Sequence, residues 1–445
     1  MKENRPKFST KFGVIAATVG SAVGLGNIWR FPYEAGTHGG GAFLLTNLIC
    51  VLLIGIPVVC SEFIIGRASR KNIFGGMAAL APKNGRLWSM AGFIGVASGT
   101  LILSFYAVVA GWTMEYLFQS IKDIFSSSAQ HDSGAEFSSF ITGWRCVFWT
   151  VVLLGLNLVI ALRGVQKGIE KVSNWLMPVL FVLLLIMVVN SLMLPGAAEG
   201  LKFLFAPDFS KVDSSMFLSA IGQAFFSLSI GLGTLTVYGS YFPSQTKIVK
   251  SASIMAGLDT MVAIIAGIII FPAVFSFGMQ PEAGPKLVFV VLPDIFRQMP
   301  FGDVWSTIFF LLLLIASLTS TISLSETGIS FCIEQMGVSR KRAVAMTMGF
   351  VTFFGILCAL SFGPLANFTI CGLTIFDLFD FVTSNIMLPV GGMLIAIFVG
   401  WIIDRQVLAH QLSPAPRFLC RLITFSLRYI SPLAILLVFL NNLLQ

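Results

Sequence analysis

An all-α polytopic membrane protein is the fold class this sequence predicts, and three observations predict it. Of the 445 residues, 56% are hydrophobic and only 11% are charged, whereas soluble globular chains carry about 25% charged residues. A crossing helix needs ~20 apolar residues. Eleven such stretches follow one another, at about 12–35, 40–66, 88–118, 144–162, 168–193, 215–241, 248–277, 303–333, 342–362, 374–403 and 419–442. The first and sixth are interrupted by glycine and polar residues at mid-membrane. They stand in matching places of two halves of five, 12–193 and 215–403, within a single domain of 1–445 that ends in an eleventh helix.

The N-terminal segment, Met1 to Lys11, is basic and runs into the first span without a small-residue cleavage site, so no removable signal peptide is expected. The first span breaks at Gly20-Ser21-Ala22-Val23-Gly24-Leu25-Gly26-Asn27. Each glycine weakens a helix by roughly 1 kcal/mol relative to Ala, and the freed N–H and C=O groups lie where there is no water. The sixth span breaks at Phe225-Phe226-Ser227-Leu228-Ser229-Ile230-Gly231-Leu232-Gly233. One glycine-rich span is also what close helix packing produces, but two in matched positions point to a transporter's central site.

Placing the N-terminus in the cytoplasm puts 20 of the 28 Lys and Arg residues on the inner side. Seven fall outside, Arg30, Lys122, Arg145, Lys202, Lys211, Lys286 and Arg297, and Arg428 lies within the last span. The net charge of +8 therefore reports orientation rather than a nucleic-acid partner. An odd number of spans places the C-terminus outside and makes the chain a multi-pass protein of the plasma (inner) membrane. The longest hydrophilic insert, Gln119 to Gly143, is rich in serine and reads as an extracellular loop with little chemistry. The seven cysteines, at 50, 60, 146, 332, 358, 371 and 420, lie mostly in apolar segments without metal spacing and read as packed thiols. His38, His131 and His410 form no triad or ligand spacing, and no nucleotide-binding motif is present. An enzyme and an ATP-driven pump are both excluded.

An unwound segment offers N–H groups and a positive dipole end to a carboxylate, and free carbonyls to a hard cation such as Na⁺. Asn27 adds a neutral oxygen and Ser227 a hydroxyl. Asp259, inside the seventh span, supplies a charge that costs roughly 3 kcal/mol to insert, so it is read as functional, with an acid reaching water at the span's end as the alternative. Glu62, Glu326 and Asp377 lie nearer span ends, where structural hydrogen bonding serves as well. Ser317, Thr319, Ser320 and Thr321 in the eighth span either bond the carbonyl one turn back or form the second half of an ion site.

The motif Gly20 through Pro32 continuing to His38-Gly39-Gly40-Gly41-Ala42-Phe43, the sixth-span run Gln223 to Gly233, and Ser317-Leu318-Thr319-Ser320 resemble the neurotransmitter:sodium symporter family in order and spacing. The resemblance covers essentially the whole chain and is nearest the bacterial eleven-span members that carry hydrophobic amino acids. It implies an inverted five-plus-five repeat of the bacterial leucine transporter type, with helices 1 and 6 broken, and two sodium sites. The first would comprise the Ala22 carbonyl, Asn27, Ser227, Asp259 and the substrate carboxylate. The second would comprise the carbonyls of Gly20, Val23 and Ala316 with the hydroxyls of Thr319 and Ser320. The substrate carboxylate would meet the Leu25–Gly26 backbone and Tyr106. The amino group would meet carbonyls of Ala22, Phe226 and Ser227, near Ser229. Its side chain would fill a pocket of Ile102, Phe226, Leu232, Ser320 and Leu324, under a lid of Tyr106 and Phe226. Arg30 with Asp380 would form the outer gate, with Asp377 as neighbour, and Arg5 with Glu334, supported by Tyr241, the inner one. Glu334 replaces the family's usual gate aspartate, and Phe8 its usual tryptophan.

Chloride-dependent members have Tyr where this chain has Asn47, and many have Asn where it has Asp259, so chloride-independent transport is expected. Gly24 stands where monoamine members place an acid, which leaves room for a substrate carboxylate. Leu232 replaces a bulkier Phe, and the pocket carries no charge, so neutral apolar amino acids, including aromatic ones, are the expected substrates. Another small zwitterion such as betaine is the alternative within transport; a channel or a sensor is the alternative outside it. Gly168 and Pro178 in the fifth span resemble a spacing that accompanies unwinding in similar bacterial members, and equally describe a plain membrane-helix kink.

Overall fold

A computed structural model describes residues 5–125, 132–279, 286–413 and 415–444. The expectations for Lys2, His131 and the centre of the serine-rich insert concern residues outside these segments. Among the described residues the chain is helical without a strand, apart from the isolated bridges Gly40–Pro207 and Ile370–Leu373. Nine helices there are long and apolar enough to cross a membrane: Gly41–Ser69, Gly85–Phe125, Trp144–Leu162, Val165–Leu192, Ile248–Ser276, Gly302–Met336, Arg340–Leu360, Ile375–Ile402 and Arg417–Asn441. The pair Lys11–Ala22 and Gly26–Thr37, bent by 52°, makes a tenth. Ser214–Ser227 and Thr234–Ser240, parted by the irregular stretch 228–233, occupy the place of the sixth span.

Local chemistry sets the helix starts. Thr10 caps the first half-helix by accepting the Gly13 N–H at 2.8 Å. Asp213 does the same for Met216 at 2.8 Å and starts the sixth span. Burial then sorts the spans. In Gly85–Phe125 and Gly302–Met336, 72% of the most apolar window is buried, against 33% in Trp144–Leu162, Val165–Leu192 and Arg417–Asn441. The third and eighth spans are therefore central and the latter three peripheral. A helix hydrophobic on every side and buried is the expected core of such a bundle.

Two expectations change. The insert 119–143 is not a plain loop, because the third span runs on to Phe125 and a helix Ser133–Thr142 follows. Asp132 caps that helix through the N–H groups of Gly134 and Ala135, while Phe137 and Phe140 are buried. Among the thiols, Cys371 is exposed rather than packed, at a left-handed φ of 54° in a turn.

Small residues bring spans together. A Cβ on Gly66 would stand 1.9 Å from the Thr236 carbonyl oxygen, so the second span touches the sixth backbone to backbone. Gly66→Ala is expected to lower stability by about 1–3 kcal/mol, read as a lower melting temperature of the purified protein. Gly257→Ala, where an added Cβ meets nothing within 4 Å inside the helix Ile248–Ser276, should not lower it and should raise it slightly.

Candidate substrate and sodium site

Both breaks arise where the backbone leaves helical geometry. Val23, at ψ 115°, ends the first half-helix, whose last carbonyls lose their intrahelical donors. In the sixth span Ser229, Gly231 and Gly233 have φ of 54°, 90° and 70°. Glycine takes this region freely, whereas Ser229 is held there with its hydroxyl on the Ser21 carbonyl at 3.0 Å. Glu62, fully buried, binds the sixth-span break from the second span. Its oxygens accept Gly231 N–H at 2.9 Å and Thr236 N–H at 3.1 Å. Gln223 holds the other break, donating to the Gly26 carbonyl at 3.1 Å.

Between the breaks lies a small cavity. Of the expected substrate residues, Ala22, Gly26, Ile102, Tyr106, Phe226, Ser229, Leu232, Ser320 and Leu324 line it. Leu25 sits beside it and donates its N–H to the Tyr106 hydroxyl oxygen at 3.1 Å. Ser227 turns away and donates to Asp259 at 2.6 Å. Ser21 and Leu388 line the cavity without having been expected there; a leucine within an apolar tenth span carries no sequence signal. Gly24 also lines the cavity, and a Cβ there would stand 2.7 Å from the Ser320 hydroxyl and 3.0 Å from the Tyr106 hydroxyl. A second cavity shares Phe226 and Leu388 and extends to Arg30, Ser384 and Asn385.

Two oxygen clusters adjoin the cavity. In one, Asn27 Nδ2 donates to Ser227 Oγ at 2.9 Å and to Asp259 at its carboxylate (2.8 Å) and carbonyl (3.0 Å). The Asn27 oxygen accepts the Gly24 N–H at 3.0 Å, so the amide nitrogen, not the expected oxygen, faces the carboxylate. A cation among these groups would take the place of the two donors on Asp259, with the amide turned over. In the other, Ser320 donates to the Val23 carbonyl at 3.1 Å and Thr319 to the Ala316 carbonyl at 3.0 Å. Gly20 packs on Thr319, its ideal Cβ 3.2 Å away. The hydroxyl row thus bonds one turn back and also reaches the first-span break. Neutral oxygens with at most one carboxylate fit a hard monovalent cation, and the described residues hold no cluster of three His, Cys, Asp or Glu for a softer metal.

At the end of the bundle that carries the basic loops, Arg5 pairs with Glu334 and donates to Ser240 at 2.7 Å. Its guanidinium lies 5.0 Å above the Tyr241 ring. The Tyr241 hydroxyl goes to Glu326 at 2.7 Å rather than to the gate, and Arg340 completes that buried cluster. Phe8 is buried edge-on against Tyr238 and Tyr241. At the other end the expected Arg30–Asp380 pair is not formed. Arg30 meets Glu34 at 3.4 Å and stacks 4.9 Å over Phe226. Asp380 accepts from Ser384 at 2.8 Å, one turn along its own helix, and Asp377 from Thr374 at 2.7 Å. Local donors satisfy both acids.

The model of the sodium:neurotransmitter symporter family matches residues 5–133 and 136–445. The chain belongs to this family. It is 40% identical to the sodium-dependent transporter YhdH of Bacillus subtilis, over 99% of this chain and 98% of that one. The sodium- and chloride-dependent taurine transporter of Rattus norvegicus is 28% identical, over 86% and 68%. The crystal structure of MhsT in complex with L-phenylalanine superposes with a TM-score of 0.91 at 45% identity, covering 99% of this chain and all of that one. This family member is thus a multi-pass, sodium-dependent symporter with the bacterial transporter fold, not an enzyme.

Glu62→Gln tests how the sixth-span break is held. The amide offers one oxygen to two N–H groups, so one buried donor is orphaned at about 1–3 kcal/mol. The expected result is a lower melting temperature.

Proposed function

We propose that this symporter takes up neutral, apolar L-amino acids, coupled to two sodium ions and independent of chloride. The observation that carries the reading is the division of the cavity into a polar and an apolar part. Gly26 and Tyr106 offer an N–H and an O–H to a carboxylate on the first-span side, and the Leu25 N–H, here on Tyr106, would turn to it. Ile102, Phe226, Leu232 and Leu324 surround the remainder with apolar surface. A primary ammonium can donate to the carbonyls of Ala22, Phe226 and Ser227, whereas the quaternary nitrogen of betaine has no proton to give. MhsT, with its phenylalanine, favours the same class.

Asn27, Ser227 and Asp259 would hold the first sodium with the Ala22 carbonyl, and Gly20, Val23, Ala316, Thr319 and Ser320 the second. Because the first cluster includes the substrate carboxylate, sodium and amino acid bind together. Asp259 supplies a fixed negative charge beside that ion, which removes the need for an anion. One charge crossing 100 mV yields about 2.3 kcal/mol and a tenfold gradient about 1.4 kcal/mol. Two ions thus release roughly 7 kcal/mol, enough for steep accumulation of a zwitterion. The basic loops place the N-terminus in the cytoplasm of a plasma (inner) membrane protein. Arg5 and Glu334 then close the inner side, and Arg30 would meet Asp380 when the outer side closes over Tyr106 and Phe226. On this reading 12–193 and 215–403 are the two inverted repeats.

Sodium-dependent scintillation proximity binding across the twenty amino acids and betaine checks the substrate class. Apolar amino acids should bind and betaine should not; no sodium-dependent binding at all would refute the reading. Asp259→Ala should abolish sodium-dependent binding, and Tyr106→Phe should weaken it about tenfold, one hydrogen bond's worth. Uptake in proteoliposomes should persist when gluconate replaces chloride, and a large loss of rate would exclude chloride independence.

A further inference from the structure

We propose that Glu170, at the start of the fifth span, is a positioning residue that latches the N-terminal segment and so holds the cytoplasmic gate shut. The inference rests on the transport reading above for its direction, and on the following geometry for its substance.

The Glu170 carboxylate is buried and points at the start of the first span. It accepts the backbone N–H of Ser9 at 3.0 Å and of Thr10 at 3.2 Å, together with the Ser9 hydroxyl at 2.7 Å. These are N–H groups that a helix start leaves without an intrahelical partner, and a carboxylate there is favoured by the helix dipole. The Thr10 hydroxyl accepts the Gly13 N–H and itself donates to Glu170 at 3.4 Å, so Glu170 acts as a second cap supplied from another span. The first span is shaped to receive it. A Cβ on Gly13 would stand 2.1 Å from Glu170 Oε1, so an added side chain there would push the carboxylate aside. One turn earlier, Gln166 Nε2 donates to the Lys7 carbonyl at 2.7 Å.

Residues 5–10 are therefore gripped from two sides. On one side stand Glu334, Ser240 and Tyr241, which hold Arg5 and accept the Phe8 N–H on the Tyr241 carbonyl at 3.0 Å. On the other side stand Gln166 and Glu170. Both belong to the wide turn Val165–Glu170, entered from Gly164 at φ 82°. Any motion that opens this turn withdraws the carboxylate and releases Ser9 and Thr10. The Arg5–Glu334 pair must then hold the segment alone. The first half-helix that Glu170 secures runs on to Gly20 and Val23, so the latch is mechanically continuous with the second sodium cluster.

Hydrogen–deuterium exchange on the purified full chain, with sodium binding measured on the same samples, tests the proposal. Glu170→Gln removes the charge, and Gly13→Ala expels the carboxylate while leaving it intact. Each should speed exchange of the amides of 9–13 about tenfold, the scale of a lost charge-assisted hydrogen bond. Each should also weaken apparent sodium affinity by a similar factor, with exchange elsewhere little changed and the melting temperature lowered only slightly. The double variant should be no worse than either single one, and Glu170→Asp should recover part of the protection. Unchanged exchange at 9–13, faster exchange spread over the whole chain, or faster local exchange with unaltered sodium affinity would each overturn the latch. Absence of sodium-dependent binding in the unsubstituted protein would instead refute the transport reading, and the exchange data would still decide whether Glu170 holds the segment.

Discussion

A backbone polar group in hydrocarbon must find a partner inside the protein, and the whole site depends on how this chain meets that demand. The two interrupted spans release N–H and C=O groups that no water reaches. Some are taken up by side chains placed to receive them. Glu62 binds Gly231 and Thr236, Gln223 binds Gly26, Ser229 binds Ser21, and Ser320 binds Val23. Others face the cavity and the oxygen clusters. The unwound segments are thus rigidly held on one side and chemically available on the other. That combination lets irregular backbone persist at membrane depth and recognise a ligand.

The same logic governs charge. Acids inside the bundle have donors from their own surroundings. Asp259 takes Asn27 and Ser227, Glu326 takes Arg340 and Tyr241, and Glu115 takes Arg145. Asp259, like Glu62, has only neutral partners and no positive neighbour at ion-pair distance, but its donors are side chains that can turn aside rather than backbone N–H groups. A small cation would supply that neighbour. Glu326 already has a guanidinium, and Glu62 serves backbone donors. The identity of the partner therefore separates a carboxylate suited to an ion from those that hold the architecture.

Much of this is legible in the residues. Spans such as 144–162 coincide with the helix Trp144–Leu162, because an unbroken apolar run with a Gly before it and an Arg after it admits few other endings. The cavity lining is legible through the motifs at 20–27 and 223–233, where glycines and hydroxyls appear in the one environment that normally rejects them. Leu388 is not legible, since apolar residues in an apolar span look alike until packing selects one. The helix at 133–142 is masked by its serines, although Asp132 and the buried Phe137 and Phe140 are its cap and its anchor. Family likeness pairs Asp380 with Arg30, yet Ser384 one turn away satisfies the acid in this conformation.

Residue order alone sets the fold class, the places where two helices break, and the residue types available there. Hydropathy and glycine placement are local properties, and the membrane leaves them only one outcome. Tertiary structure alone decided which atoms face one another. It turned the Asn27 amide nitrogen toward Asp259, left Arg30 on Phe226 and Glu34, and brought Glu170 to the N–H groups of Ser9 and Thr10 across some 160 residues of chain. These outcomes depend on contacts between spans distant in the chain, where a side chain's partner is whichever donor the packing brings within 3 Å. No periodicity along the chain encodes that choice.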